Sequence, residues 1–146
     1  MPTTRPRPRN SVTVQYAVPR RGAPAAAALV RWARAASPAQ PLTLRVVGRR
    51  EGRALNRRFR RRDCATNVLS FAYAGEGDIA LCHPVVAREA RAQGKPLRAH
   101  YAHLVVHGIL HLRGYVHDDE RSARRMEARE IRILRRLGFA DPYTVE

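Results

Sequence analysis

Three histidines between residues 107 and 117 have the spacing of a metal site. His107, His111 and His117 stand in the pattern H-x-x-x-H-x-x-G-x-x-H, in which the glycine is Gly114. Residues four apart lie on one face of a helix about 6 Å apart, so the first two imidazoles can bind one ion. Gly114 can end that helix in a left-handed conformation and return the third imidazole to the same face. Three neutral imidazoles leave a fourth tetrahedral position for water, which is typical of catalytic zinc.

The metzincin proteases have the same spacing with one difference. Their motif carries a glutamate directly after the first histidine, and this glutamate is the general base of peptide hydrolysis. Here that position is Gly108. A metallopeptidase would therefore need an acidic residue near the metal from elsewhere in the chain, and the sequence favours a different chemistry.

Two further histidines compete for the ligand role. His103, His107 and His111 follow one another at intervals of four residues. The outer two would lie about 12 Å apart along a helix axis, which is too far for both to bind one ion at about 2.1 Å. We therefore interpret His103 as a core residue or a neighbour of the ligands, and we expect His100 to be exposed.

The composition indicates one domain without a disulfide. A chain of 146 residues is long enough to bury a substantial core. It has no apolar run near the length of a membrane span and no signal-peptide pattern, so we expect a cytoplasmic protein with no membrane partner. Cys64 and Cys82 form no C-x-x-C motif, and we expect both to be reduced thiols.

The positive charge is concentrated in the first half of the chain. The net charge is +16, and residues 1–62 hold sixteen arginines against a single acidic residue, Glu51. Such a field favours a polyanionic partner and makes RNA or the ribosome the expected one. The alternative is a compositional bias, since the chain has one lysine, Lys95, beside its many arginines.

Apolar periodicity predicts an α/β fold. We expect a disordered Pro- and Arg-rich arm over residues 1–11 and a single domain over residues 12–146. Alternating patterns predict strands at 12–18, 42–47, 67–73 and 78–82, the last two joined by a turn at 75–77. Helical patterns predict helices at 25–36, 49–61, from 83 to before Gly94, 97–112 and 118–137. The expected fold is a small mixed sheet of about four strands packed with about five helices, with the metal site at the end of a central buried helix.

Two of these helices have an amphipathic pattern. In the basic helix over residues 49–61 we expect Leu55 and Phe59 to face inward. In the last helix the residues expected to face inward are Met126, Ile131, Leu134 and Leu137.

Three blocks of the sequence together resemble the YbeY family. They are NRRFRRRDCATNVLSF (56–71), GDIALC (77–82) and HLVVHGILHLRGYVH (103–117), and the resemblance runs from about residue 43 to residue 143. Members of this family are rRNA maturation factors of bacteria and organelles and are regarded as metal-dependent endoribonucleases. The resemblance implies a zinc-dependent, single-strand-specific endoribonuclease acting in small-subunit rRNA maturation and in ribosome assembly and quality control. It also implies the small ribosomal subunit and its proteins as partners.

The resemblance also assigns roles to residues. It implies one zinc ion held by His107, His111 and His117, and a catalytic arginine that matches Arg60 by its position before the T-N-V-L-S-F block. Charge alone does not distinguish Arg60 from the arginines around it. We expect the other polar residues of this block to bind RNA, namely Arg57, Arg58, Arg61, Arg62, Asn67 and Ser70.

The chain departs from the family pattern at two positions. Val116 replaces an aspartate commonly found beside the third histidine, and Cys64 replaces a lysine. Asp118 or Asp119 is a candidate substitute for the missing carboxylate. The rival interpretation is a non-catalytic assembly factor that docks on rRNA and whose metal only stabilises the fold. In that case a side chain such as Asp118 would close the coordination shell.

Overall fold

One mixed sheet organises the chain. The computed structural model describes residue 8 and the ranges 11–36 and 40–144, so the predicted arm over residues 1–11 lies almost entirely outside the described residues. The four strands are β1 (Val12–Tyr16), β2 (Leu42–Val47), β3 (Val68–Tyr73) and β4 (Glu76–Cys82), in the spatial order β1-β2-β4-β3. β1, β2 and β4 are parallel, and β3 pairs antiparallel with β4 at the edge of the sheet.

Five helices in the described part of the chain complete the fold and confirm the predicted fold class. They are α1 (Ala26–Ala36), α2 (Arg49–Arg60), α3 (His83–Ala92), α4 (Leu97–Leu112) and α5 (Glu120–Arg136). Within the same described ranges, no helix is both long enough and apolar enough to cross a membrane. Cys64 and Cys82 are free thiols, as expected.

The main core lies between the sheet and α4. β2 contributes Leu42, Leu44 and Val46 to this core, and α1 covers the neighbouring part of the same sheet face. α4 is apolar on nearly all sides, and nine of its sixteen residues are buried, as expected for a central helix surrounded by protein. This burial makes the prediction for His100 wrong: the residue is only 4% exposed, and its Nε2 lies 2.9 Å from a carboxylate oxygen of Glu89.

The opposite sheet face is covered only in part, by α2. Gly52 allows α2 to approach β4, since a Cβ there would lie 3.1 Å from the Cys82 sulfur. The predicted inward position of Phe59 is wrong: the residue is 48% exposed and packs against Phe71 at a centroid distance of 4.9 Å. The side chain that α2 buries instead is that of Asn56, whose amide donates to the Cys64 carbonyl at 2.8 Å.

Two further details differ from the predictions. The β3–β4 turn is formed by Ala74 and Gly75, both with positive φ, so it is one residue earlier than expected. In α5, Ile131 is only half-buried while Ile133 is buried, because the inward face continues from Met126 through residues 130, 133 and 134.

At Gly108, α4 packs tightly against the sheet. A Cβ at this position would lie 2.9 Å from the Ser70 hydroxyl oxygen and 3.3 Å from side-chain carbons of Ile79 and Val68. The contact also explains why a glutamate does not follow the first motif histidine: any side chain there would collide with β3 and β4.

Gly108→Ala is expected to lower the free energy of unfolding by about 1–3 kcal/mol, because overpacking outweighs the better helix propensity of alanine. Urea denaturation measures the change. Adding Ser70→Ala removes the nearest atom and should recover part of the loss. A Gly108→Ala protein as stable as the wild type would contradict this account of the packing.

Candidate metal centre

The structure brings the three predicted ligands together at the C-terminal end of α4. The rings of His107 and His111 are one turn apart on the same helix face, with centroids separated by 4.7 Å. The ring of His117 lies 5.6 Å from the first and 4.8 Å from the second. One ring nitrogen from each residue lies within 4.8 Å of the others.

A glycine turn places the third histidine. Gly114 has a φ of +95°, which L side chains rarely adopt, and its N–H donates to the His111 carbonyl at 3.0 Å. The Tyr115 N–H donates to the Leu110 carbonyl, also at 3.0 Å, and the two bonds form a Schellman motif that ends α4. His117 then lies in the short segment before α5.

The donor set fits a divalent zinc ion. The pKa of His111 is lowered by burial and by the neighbouring His107 and His117 rings, so the imidazole is neutral at pH 7. Neutral imidazole nitrogens are the form that binds zinc, and three of them with room for solvent form a familiar catalytic set. His117 is exposed and His107 and His111 are half-buried, so the cluster is open on one side.

Sequence reasoning missed a buried carboxylate behind the cluster. Glu130 of α5 is completely buried and lies 3.1 Å from His107 Nδ1 and 3.3 Å from His103 Nε2. The Tyr143 hydroxyl also donates to it. Burial alone would raise the pKa of Glu130, but the hydrogen bonds from His103, His107 and Tyr143 outweigh it and lower the pKa to about 2.

The ionised Glu130 fixes the tautomer of His107. A carboxylate can only accept, so His107 must carry its proton on Nδ1, which leaves the lone pair on Nε2 for a metal. The signal for Glu130 was present in the sequence: it lies four residues after Met126 and four before Leu134, on the apolar face of α5. A glutamate on a buried helix face needs a partner, and here the partners are histidines and a tyrosine.

A cleft of about 510 Å³ opens over the three histidines. Arg60, Asn67 and Ser70 line it together with His107, His111 and His117. The Arg60 guanidinium donates to the Ser70 carbonyl at 2.7 Å and lies 5.3 Å from the centre of the Phe71 ring. Arg60 therefore reaches the histidine cleft from α2 across the edge strand β3.

Ser70 of β3 and Asn67, which precedes this strand, are already held by hydrogen bonds within the protein. The Ser70 hydroxyl donates to the Gly108 carbonyl at 3.0 Å. The Asn67 amide donates to Glu89 at 3.0 Å, and its carbonyl oxygen accepts from the Val68 N–H at 2.6 Å. Both residues line the cleft, but their visible role is to hold β3 against α3 and α4.

The remaining predicted RNA-binding arginines are not in this cleft. Arg57, Arg61 and Arg62 are exposed and do not line the histidine cleft. They also lie outside a second groove, on the sheet face beside α2, which Arg58 does line. Arg61 is the C-terminal cap of α2, and its left-handed φ of +58° changes the direction of the chain after the helix.

The two candidate carboxylates also lie outside the cluster. Asp119 caps α5 by accepting from the Ser122 N–H at 2.8 Å. Asp118 is exposed and, within the described residues, does not join the three nitrogens.

Comparison with known proteins identifies the family of this chain. The sequence model of the family described as Endoribonuclease YbeY matches residues 24–138. A protein of that name from Methylibium petroleiphilum is 56% identical over 121 residues, which cover 79% of this chain and 80% of the relative. One from Stenotrophomonas maltophilia is 47% identical over 154 aligned residues, covering 94% and 96%. The solution structure of TM1509 from Thermotoga maritima has a TM-score of 0.55 at 20% identity, covers 91% of this chain and 99% of its own, and supports the fold alone.

Proposed function

Because the chain belongs to the YbeY family, we propose that it is an endoribonuclease that uses one zinc ion to cleave single-stranded RNA. His107, His111 and His117 hold the ion, and Arg60 is the catalytic arginine. The substrate is rRNA of the small ribosomal subunit, and the protein acts in the cytoplasm during ribosome assembly and quality control.

One observation supports this proposal most strongly. Arg60 and the three histidines come from elements far apart in the chain, yet they line a single cleft. The pairing of a cation with a metal site suits a phosphodiester, whose cleavage builds negative charge on the phosphoryl oxygens. It does not suit peptide hydrolysis, because Gly108 occupies the position of the protease base and has no room for a side chain.

Each residue of the site and its surroundings has a separate role in this proposal. A zinc ion in this set supplies Lewis acidity, which stabilises negative charge and makes a water molecule more acidic. The planar Arg60 guanidinium can bind two phosphoryl oxygens at once. Glu130 holds the proton at His107 Nδ1, so that Nε2 of the same ring keeps the lone pair that a metal ligand needs. The cleft is recessed beside α4, so a flexible single strand reaches it more easily than an A-form duplex.

The basic first half of the chain supports rRNA as the partner. Residues 1–62 hold most of the net charge of +16, which favours binding to RNA and makes the affinity salt-dependent. The same charge would serve a non-catalytic assembly factor, so the test must measure cleavage and binding separately.

Purified protein is expected to cleave a labelled single-stranded RNA, to cleave the same sequence poorly in a duplex, and to lose activity with a chelator. Zinc added back should restore the activity. A nuclease-free preparation that binds the RNA with a steep salt dependence but does not cut it would favour the assembly factor instead. Product ends identify the nucleophile, because attack by the ribose 2′-hydroxyl leaves a 2′,3′-cyclic phosphate and attack by water does not.

A further inference from the structure

A second groove lies on the sheet face that α2 leaves uncovered. Its volume is about 800 Å³, and strand residues such as Thr43 and Arg45 form its floor. The end of α2 forms one wall and the edge strand β3 the other. The residues of these walls that matter here are Arg58, Phe59, Phe71 and Tyr73.

Aromatic rings are unusually exposed in this groove. Phe59 and Tyr73 are 48% and 47% exposed, and within the described residues only Val116 and Tyr143 are comparably exposed large hydrophobic residues. The Phe59 ring packs on Phe71 at a centroid distance of 4.9 Å, which holds it in place, and nearly half of the residue remains exposed to solvent. An open sheet face with exposed aromatic rings is a surface on which unpaired bases stack.

The cations of the groove lie beside these rings. The Arg58 guanidinium is 5.1 Å from the centre of the Phe59 ring, and that of Arg60 is 5.3 Å from Phe71. Neither has a carboxylate partner in the part of the chain that the structure describes, whereas Arg45 is neutralised by Glu51 at 2.7 Å and 3.1 Å.

Two acidic residues line the groove, Glu51, which is paired with Arg45, and Asp78. Asp78 accepts a hydrogen bond from the Tyr73 hydroxyl at 3.0 Å. The unneutralised positive charge therefore lies along the aromatic wall, where a phosphate next to a stacked base would be placed.

The groove adjoins the histidine cleft at the edge strand β3. Arg60, Ser70 and Ala72 line both, and they lie at or beside the edge strand β3. An RNA strand that crosses this edge from the histidine cleft enters the groove directly. The two sites are therefore arranged for successive nucleotides of one strand.

We propose that the groove is a second nucleotide subsite, in which a base next to the cleavage site stacks on Phe59 and its phosphate lies near Arg58. The subsite rests on the proposed function, because it requires RNA in the histidine cleft. It predicts that the enzyme prefers flexible strands long enough to span both sites, with little dependence on base identity, because every base has a stacking face.

Stacking of a base on Phe59 is tested by a cycle that combines two RNA probes with variants of this residue. The probe is a fluorescent, single-stranded phosphorothioate RNA of about 12 nucleotides, which is long enough for both sites and resists cleavage. A second probe of the same length lacks the base at every position. Phe59→Leu keeps apolar bulk but removes the ring, and Phe59→Tyr keeps the ring as the matched control. Circular dichroism checks that each variant is folded.

Phe59→Leu is expected to weaken binding of the full probe roughly tenfold in fluorescence anisotropy and to leave binding of the abasic probe unchanged. Phe59→Tyr should bind both probes like the wild type. Equal affinity of Phe59→Leu and wild type for the full probe would overturn the subsite. An equal loss with both probes would also overturn it, because the effect would not depend on the bases.

A separate assay keeps this result apart from the proposed function. Cleavage of single-stranded RNA by the wild type tests the proposed function without any change in the groove. If the wild type cleaves no RNA, the proposed function fails while the anisotropy cycle still reports on the groove. If cleavage is normal and the cycle shows no base dependence, the subsite fails and the proposed function stands.

Discussion

Arg60→Ala should lower kcat/KM for cleavage of single-stranded RNA by about 10²- to 10³-fold, the cost of removing one group that stabilises charge in a transition state. The fold should survive, because Arg60 is exposed and, within the described residues, its guanidinium contacts one carbonyl and one ring. Zinc content should also survive, because the arginine does not belong to the nitrogen cluster. Rates are measured under single-turnover conditions, so that product release does not mask the chemistry.

Two controls separate a specific role from general charge. Arg57→Ala removes an exposed arginine of the same helical turn that does not line the cleft, and it should change kcat/KM only slightly. Arg60→Lys keeps the charge but not the planar fork, and its rate should be intermediate. Equal losses for Arg57→Ala and Arg60→Ala would mean that the basic surface acts only through its field.

Glu130→Gln should weaken zinc binding by about 10- to 100-fold, which is typical for the loss of a carboxylate behind a histidine ligand. Glutamine is nearly isosteric, but its amide nitrogen donates, and a donor opposite His107 Nδ1 favours the tautomer whose Nε2 carries the proton. That proton would occupy the lone pair needed by the ion. Competition with a chromophoric chelator measures the affinity.

The control for this variant lies on the same helix. Glu120→Gln removes a carboxylate at the exposed start of α5, where the side chain is 84% exposed. It should leave zinc affinity unchanged. If Glu130→Gln binds zinc as tightly as the wild type, the carboxylate does not orient His107 and serves only the packing of α5.

The predictions from sequence succeeded where a local pattern decides the structure. The limits of β2 and α4 match the predicted ranges, because β2 has an alternating pattern and α4 is a long, predominantly apolar segment that ends just before Gly114. The three histidines could be expected to meet because helix periodicity and a glycine stop are local rules, which the Schellman turn at Gly114 follows.

The errors arose where long-range packing decides. Phe59 has the spacing of an inward residue of α2. In the structure it remains half exposed at the end of the helix, which depends on how α2 packs on the sheet and not on the local pattern. His100 is buried because α4 is surrounded by protein on nearly every side. The partners of Glu130 are two histidines of α4 and Tyr143, and the sequence pattern of α5 does not predict which residues these are.

The central claim is that three imidazole nitrogens hold one ion at the end of α4, and the number of zinc ions bound per chain tests it most directly. The wild type should bind one ion tightly in a chelator-competition titration, and His111→Ala should lose it. His83→Ala, which removes a histidine outside the cluster, should keep it. A wild type that binds no ion, or a folded His111→Ala protein that binds zinc as tightly as the wild type, would contradict the account.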